Sequence, residues 1–354
     1  MFTNTGGTFR TIPTVNTTYY TSNKVVSHLY PRSNILTFYS ANPFTLSTNN
    51  SAKNWDGALY YSTNNYDWVE WDGATTISSD EHNGKQCLYI CGLENTVITG
   101  DTNDYNWVFS GSDIYCEGNI ESLLDWEKVG AGEHPPMGLA CFRSLFSLHD
   151  SLVSAPQLPA MDLSENCYRN IFGDCTGLMN APDLPAMIMT PGCYYYMFKN
   201  TAIDKAPTLC SVELADWCYR GMFYGCANLT VPPALPAENL SSSCYREMFA
   251  RSGLVVPPEL KSMNLAESCY QTMFTNCTSL EQVPQLPATK LVVNCYRNMF
   301  ENDVKLTSLP VLNATELAEG CYYTMFRGCS GIKLSETPSE IYHIAYRIPQ
   351  TGDG

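Results

Sequence analysis

The sequence predicts a multidomain β plus α/β chain, an N-terminal antiparallel β-sandwich followed by a solenoid of about eight repeats of 25–26 residues. Three observations carry this. A phrase of the form Cys-Tyr-x-x-Met-Phe returns at a near-constant interval between Cys141 and Cys321. The stretch before it alternates apolar and polar residues between Gly and Asn turns. The length of 354 residues is comfortable for two units.

The repeats come first because they occupy more than half the chain. Their lead cysteines are Cys141, Cys167, Cys193, Cys218, Cys244, Cys269, Cys295 and Cys321. An interval this regular is the signature of units that stack. Apolar residues follow each lead cysteine at i, i+1, i+4 and i+5, as in Cys295, Tyr296, Met299 and Phe300, which predicts a short amphipathic helix. The phenylalanine is invariant between copies, from Phe146 to Phe326. Next comes a phrase such as Val283-Pro284-Gln285-Leu286-Pro287-Ala288, whose prolines exclude a helix and suit a very short strand with an extended turn. A unit this small cannot bury its own Phe, Met and Leu, so neighbours must share one core.

The wording Phe274-x-x-Cys277-x-x-Leu280 resembles the BspA-type leucine-rich repeat. The longer form, with Cys-Tyr-x-x-Met-Phe and Pro-x-Leu-Pro-Ala, is similar to the variant in surface proteins of gut Bacteroides-group bacteria and in the crAss-like tailed phages that infect them. The resemblance covers roughly residues 118 to 348. It implies a leucine-rich-repeat solenoid over 141–340 that serves as a binding scaffold, and no shared chemistry. It also implies a preceding β-domain, with a Tyr-Ser-Thr…Trp-x-x-Trp-Asp-Gly phrase like that between Tyr61 and Gly73.

In chain order, residues 1–33 are rich in Thr, Asn, Ser and Tyr and read as an N-terminal arm, with an edge strand at Thr17–Thr21. Residues 34–118 form the β-sandwich domain. Its predicted strands are Ile35–Ser40, Ala58–Ser62, Trp68–Trp71, Cys87–Cys91, Val97–Thr99 and Trp107–Ser110, punctuated by turns such as Asn83-Gly84. Residues 119–140 carry a helix around Ile120–Trp126 that would act as the N-terminal cap a solenoid needs. Residues 341–354 read as a C-terminal cap and tail.

Candidate binding residues lie two places after the lead cysteine: Arg143, Arg169, Tyr195, Arg220, Arg246, Arg297 and Tyr323. Arg and Tyr are enriched at interaction hot spots, although such side chains also simply cover a surface with the charge in water. Trp68 and Trp71 are the second candidates, as an aromatic platform for sugar rings or as core. The cysteines read mainly as buried thiols, with pairing between adjacent lead cysteines left open.

A net charge of -15 and no basic stripe argue against nucleic acid. No apolar run approaches the roughly 20 residues that span a bilayer. The five histidines are scattered, and neither a phosphate loop nor a Gly-x-Ser-x-Gly elbow occurs, so the chain reads as non-enzymatic, without metal or cofactor. Cys87, Cys91, Cys116 and His82 have the wrong spacing for zinc. The start, Met1–Thr8, lacks the basic and apolar regions of a secretory signal. Together these give the expectation of a virion structural protein of a tailed phage, a head or tail fibre or decoration. It would be a homo-oligomer docked to other virion proteins through the arm and β-domain, with its repeats turned toward a host surface glycan or protein. The alternatives are a bacterial cell-surface adhesin and a carbohydrate-binding module.

Overall fold

A computed structural model describes residues 25–27, 34–101, 105–338 and 345–347. The strands are β1 (Val25–Ser27), β2 (Leu36–Ser40), β3 (Thr45–Thr48), β4 (Ala58–Ser62), β5 (Asp67–Glu70), β6 (Ile77–Ser78), β7 (Asp80–His82), β8 (Lys85–Leu93), β9 (Trp107–Ser110) and β10 (Tyr115–Glu117). After them come the helix α1 (Ser122–Gly130) and the strands β11 (Lys333–Pro338) and β12 (Ala345–Arg347). The architecture is mainly antiparallel β-sheet with little helix, and the sheets do not close into a barrel.

The large sheet runs β1-β5-β4-β8-β2-β10, with β7 also pairing β8, and the small one runs β6-β3-β9. Alternation in β2 buries Leu36, Phe38 and Ser40 and turns Thr37 and Tyr39 outward. Phe38 meets Phe109 of the small sheet with ring centroids 5.0 Å apart. The predicted strands at Ala58–Ser62 and Trp107–Ser110 form with those bounds, whereas Val97–Thr99 forms no strand. The predicted edge strand at Thr17–Thr21 and most of the predicted C-terminal cap lie outside the described residues.

The repeats depart from expectation in their backbone. No α-helix follows the lead cysteines. Instead the chain runs through successive turns, with a positive φ at the residues one before, three after and seven after each lead cysteine. In the second repeat these are Asn166, Asn170 and Asp174, at φ 55, 55 and 62. Asn, Gly or Asp fills thirteen of the twenty-four such positions, the residue types that enter the left-handed region at least cost.

Hydrogen bonding explains why this ribbon wins over a helix. Alternate N–H groups close turns three residues back, as Arg169 to Asn166 O at 3.1 Å and Ile171 to Tyr168 O at 3.2 Å. The N–H groups between them donate to the next repeat: Tyr168 to Cys193 O at 3.0 Å, Asn170 to Tyr195 O at 2.7 Å and Phe172 to Met197 O at 3.1 Å. A helix would use every one of these donors internally and leave successive repeats joined only by side chains. The turn ribbon satisfies its own backbone and zips the repeats together.

The apolar spacing follows from the same geometry. With two residues in and two out along the ribbon, positions i, i+1, i+4, i+5 and i+8 all face the core, a strict period of four that lies close to the 3.6 of a helix. The phenylalanines from Phe146 to Phe326 form one ladder, each ring 5.4–6.0 Å from the next. Phe142 and the tyrosines from Tyr168 to Tyr322 form a second, at 5.7–6.0 Å. The Pro-rich phrases contribute only isolated parallel bridges, such as Asn180 with Lys205 and Ile188 with Glu213, in place of the short strands expected.

At the eighth position after the lead cysteine a polar column runs through the core. Cys175, Cys226, Cys277 and Cys329 donate their thiols to the carbonyls of Phe146, Phe198, Phe249 and Phe300 at 2.7, 3.0, 2.9 and 2.8 Å. Thr201 and Ser252, from the alternate repeats, lie 3.5 and 3.6 Å from the sulfurs of Cys226 and Cys277. All sixteen cysteines are free thiols, including the adjacent lead cysteines, and all but Cys210 are buried. Burial pushes Cys175 and Cys226 up to about 12, so both are protonated donors.

The first repeat is covered by β-structure, not by the helix expected to cap it. Ile98 and Trp107 donate to the carbonyls of Cys141 and Leu145, each at 2.9 Å, and Ile114 donates to Ser151 O at 2.8 Å. The Phe146 ring sits 6.0 Å from both Phe38 and Trp107. Residues 97–101 and 105–120 thus occupy the place of a preceding repeat, and one apolar core runs unbroken from Leu36 to Ile332. Helix α1 contributes Leu123 and Leu124 to that core, while its Trp126 joins Ile35, Tyr60, Trp68 and Cys91 on the other face of the large sheet.

Candidate functional site

The two-in, two-out ribbon decides what the repeats display. Residues two, three, six and seven places after each lead cysteine lie on the outer side of the ribbon, some of them, such as Ala250, Glu301 and Thr324, covered by their neighbours. Those positions hold Arg143, Arg169, Lys199, Arg220, Arg246, Arg251, Arg297 and Arg327 against only Asp174, Glu247 and Glu301. In a chain with 20 basic and 35 acidic residues, this face is locally cationic, which corrects the expectation that the chain has no basic stripe. A flanking column of exposed acids, Glu165, Asp216, Glu267 and Glu319, borders it two residues before the lead cysteines.

The predicted row lies together on this face. Arg169 and Arg220 both sit over the Tyr195 ring, with guanidinium carbons 4.5 and 5.0 Å from its centroid, so one ring faces two cations. Arg297 lies 4.8 Å over Tyr323, which is 56% exposed. The rest of the row is half-buried, because these side chains cover one another. Desolvation first, and then the like charge of Arg143, lowers the Arg169 pKa from its ordinary value.

A network crosses three repeats beside Tyr195. The Tyr196 hydroxyl donates to Glu247 Oε2 at 2.7 Å, and Glu247 also takes Arg220 at 3.5 Å and Arg246 at 3.3 Å. Tyr196 can reach that far because Gly221 lies beneath its ring; a Cβ there would come within 2.0 Å of Tyr196 Cε1. Arg143 pairs with Asp101, which ties the row to the β-structure. Lys199 pairs with Asp174 at 3.1 Å, and Arg251 lies 5.8 Å over Tyr224. Reading one column of the repeat missed Tyr196, Tyr224, Glu247 and Arg251. Reading the columns at three, six and seven places as well would have found them.

Trp68 and Trp71 are not part of any surface. Trp68 is 0% exposed and Trp71 2%, on opposite faces of the large sheet as alternation requires, and Trp55 and Trp107 are buried with them. They form no platform for a sugar, because both faces of the sheet are covered there. Cys91 and Cys116 likewise belong to different core clusters. Among the described residues no group of three His, Cys, Asp or Glu could hold a metal ion, and no helix is long and apolar enough to cross a membrane.

No protein-family model matches this chain, and neither a curated protein nor a solved structure does.

Proposed function

We propose that the protein is a non-enzymatic structural component of a tailed-phage virion, a head or tail fibre or decoration. In this reading the repeats form a leucine-rich-repeat solenoid behind a β-sandwich, and the Arg and Tyr row is held toward a host surface or a neighbouring virion protein. The observation that carries the binding role is the sandwich of Tyr195 between Arg169 and Arg220, a preorganised group of hot-spot residue types on a ribbon cross-linked by backbone hydrogen bonds. Side chains that already pack on one another lose less freedom when a partner arrives.

The assignment to a virion rests on the resemblance of the repeat wording and on the thiols. Sixteen free cysteines suit a chain folded and assembled in a reducing cytosol better than one exported through an oxidising compartment. Mass spectrometry of gradient-purified particles tests the reading: the chain should be recovered in stoichiometric amount with capsid and tail proteins. Recovery from the bacterial envelope of uninfected cells would support an adhesin instead. The row is tested by Arg169→Ala with Arg220→Ala, expected to reduce adsorption to host cells at least tenfold while leaving assembly unchanged.

A further inference from the structure

Helix α1 covers only part of the outer face of the large sheet. Over another part lies an open bay of about 550 Å³, within the range of roughly 300–1,000 Å³ usual for small-ligand sites. Its residues come from strands that the register sets side by side: Tyr39 opposite Cys87, and Tyr89 opposite Thr37. Outward alternation from β2 and β8 therefore places two aromatic rings on the floor. Tyr39 stacks in parallel on the Tyr115 ring at 5.2 Å, and Lys85 Nζ lies 4.0 Å from the Tyr39 centroid. His82 meets Tyr89 edge-on at 6.0 Å.

We propose that this bay binds a short neutral oligosaccharide. The rim is built from the side-chain amides of Asn34, Asn65, Asn83 and Gln157. An amide offers donors and an acceptor together, which is what a sugar hydroxyl, itself both, requires. Fixed charge is balanced between Lys85 and Glu117, which disfavours a strongly anionic or cationic ligand. Tyr89 supplies the apolar contact that a pyranose ring's C–H face makes, since Tyr39 already packs against Tyr115 and Lys85. The site shares no residue with the Arg and Tyr row, so it stands or falls separately from that reading.

The test screens the full-length protein against a panel of neutral oligosaccharides of hexose and N-acetylhexosamine units, beside sialylated, uronic-acid and sulfated ones, followed by calorimetry on the best hit. Binding should fall at least tenfold in Tyr89→Ala and in Asn83→Gly with Gln157→Ala. The second variant alters only the rim and keeps the positive φ of 54° at residue 83 accessible, so it remains informative should Tyr89→Ala fail to fold. Arg169→Ala with Arg220→Ala should leave this affinity unchanged. Absence of any neutral ligand at millimolar concentration, binding confined to charged glycans, binding that survives the rim variant, or binding abolished by the arginine variant would each overturn the proposal.

Discussion

Phe274→Ala probes how far the repeats depend on one another. The ring is fully buried, 6.0 Å from Phe249 and 5.5 Å from Phe300 in the phenylalanine ladder, so truncation opens a cavity between two interfaces. Such a change costs about 3–5 kcal/mol. With a urea dependence of about 2 kcal/mol per molar, the midpoint of the affected repeats should fall by about 2 M. Tryptophan position makes the assay selective: Trp55, Trp68, Trp71, Trp107 and Trp126 are buried in the N-terminal β-structure, and only Trp217 lies in the repeats. In a Trp217→Asn background, fluorescence reports the β-structure and far-UV circular dichroism reports the whole chain. Phe274→Ala should lower the dichroism midpoint while the fluorescence midpoint moves little, because contacts pass only between neighbours. Phe146→Ala, at the junction with Phe38, Trp107 and Phe109, should shift both together. Coincident transitions in Phe274→Ala, or a shift below about 0.5 M, would refute the nearest-neighbour reasoning.

Three other outcomes follow from the same structure. Trp217 holds φ 59 while 45% exposed, so Trp217→Asn, the residue found at the matching positions 166 and 294, should stabilise by on the order of 1 kcal/mol. Calorimetry should show a rise in Tm of about 2 °C, and a fall would contradict the left-handed assignment. Asp303 is fully buried, with Oδ1 accepting from the Cys277 N–H at 2.8 Å and Oδ2 without a partner among the described residues; desolvation raises its pKa well above the ordinary value. The folded state therefore keeps a proton that the unfolded state loses near pH 4, and the stability this group allows at acid pH declines as pH rises above that point. Asp303→Asn should accordingly gain stability over the parent at pH 7 and lose that advantage near pH 4, read from urea midpoints at the two pH values. A thiol reagent should titrate Cys210 quickly in the native protein and all sixteen thiols only in denaturant; rapid reaction of many native thiols would contradict the buried column.

The lesson about the helix lies in the repeat's own wording. A block with apolar residues at i, i+1, i+4 and i+5 fits a helical stripe over five residues, and Cys175 at i+8 continues a period of four just as well. What separates the two is the Asn, Gly and Asp set at Asn166, Asn170, Asp174, Gly192, Asn200 and their equivalents, which marks left-handed turns and is wasted on a helix. That signal was present and outweighed by the apolar pattern. The tryptophans stay undecided between platform and core in the sequence for a different reason. Alternation correctly assigns Trp68 and Trp71 to opposite faces, but local pattern carries no information on whether a second layer covers each face, and here the small sheet and α1 cover both.

What the chain determines by itself is its repetition: the interval of 25–26 residues, the inward Phe and Tyr, the outward Arg and Tyr, and the β-strands before them. These are properties of near neighbours in sequence, and the recurrence of one phrase multiplies a weak local signal eightfold. Tertiary structure alone decided the rest. Half the ribbon's N–H groups find partners only in the next repeat, residues 97–101 and 105–120 take the place of a repeat they do not resemble, and α1 leaves part of a sheet face open beside Tyr39 and Tyr89. Each of these depends on a surface meeting another that lies far away in the chain, and no local spacing records that meeting.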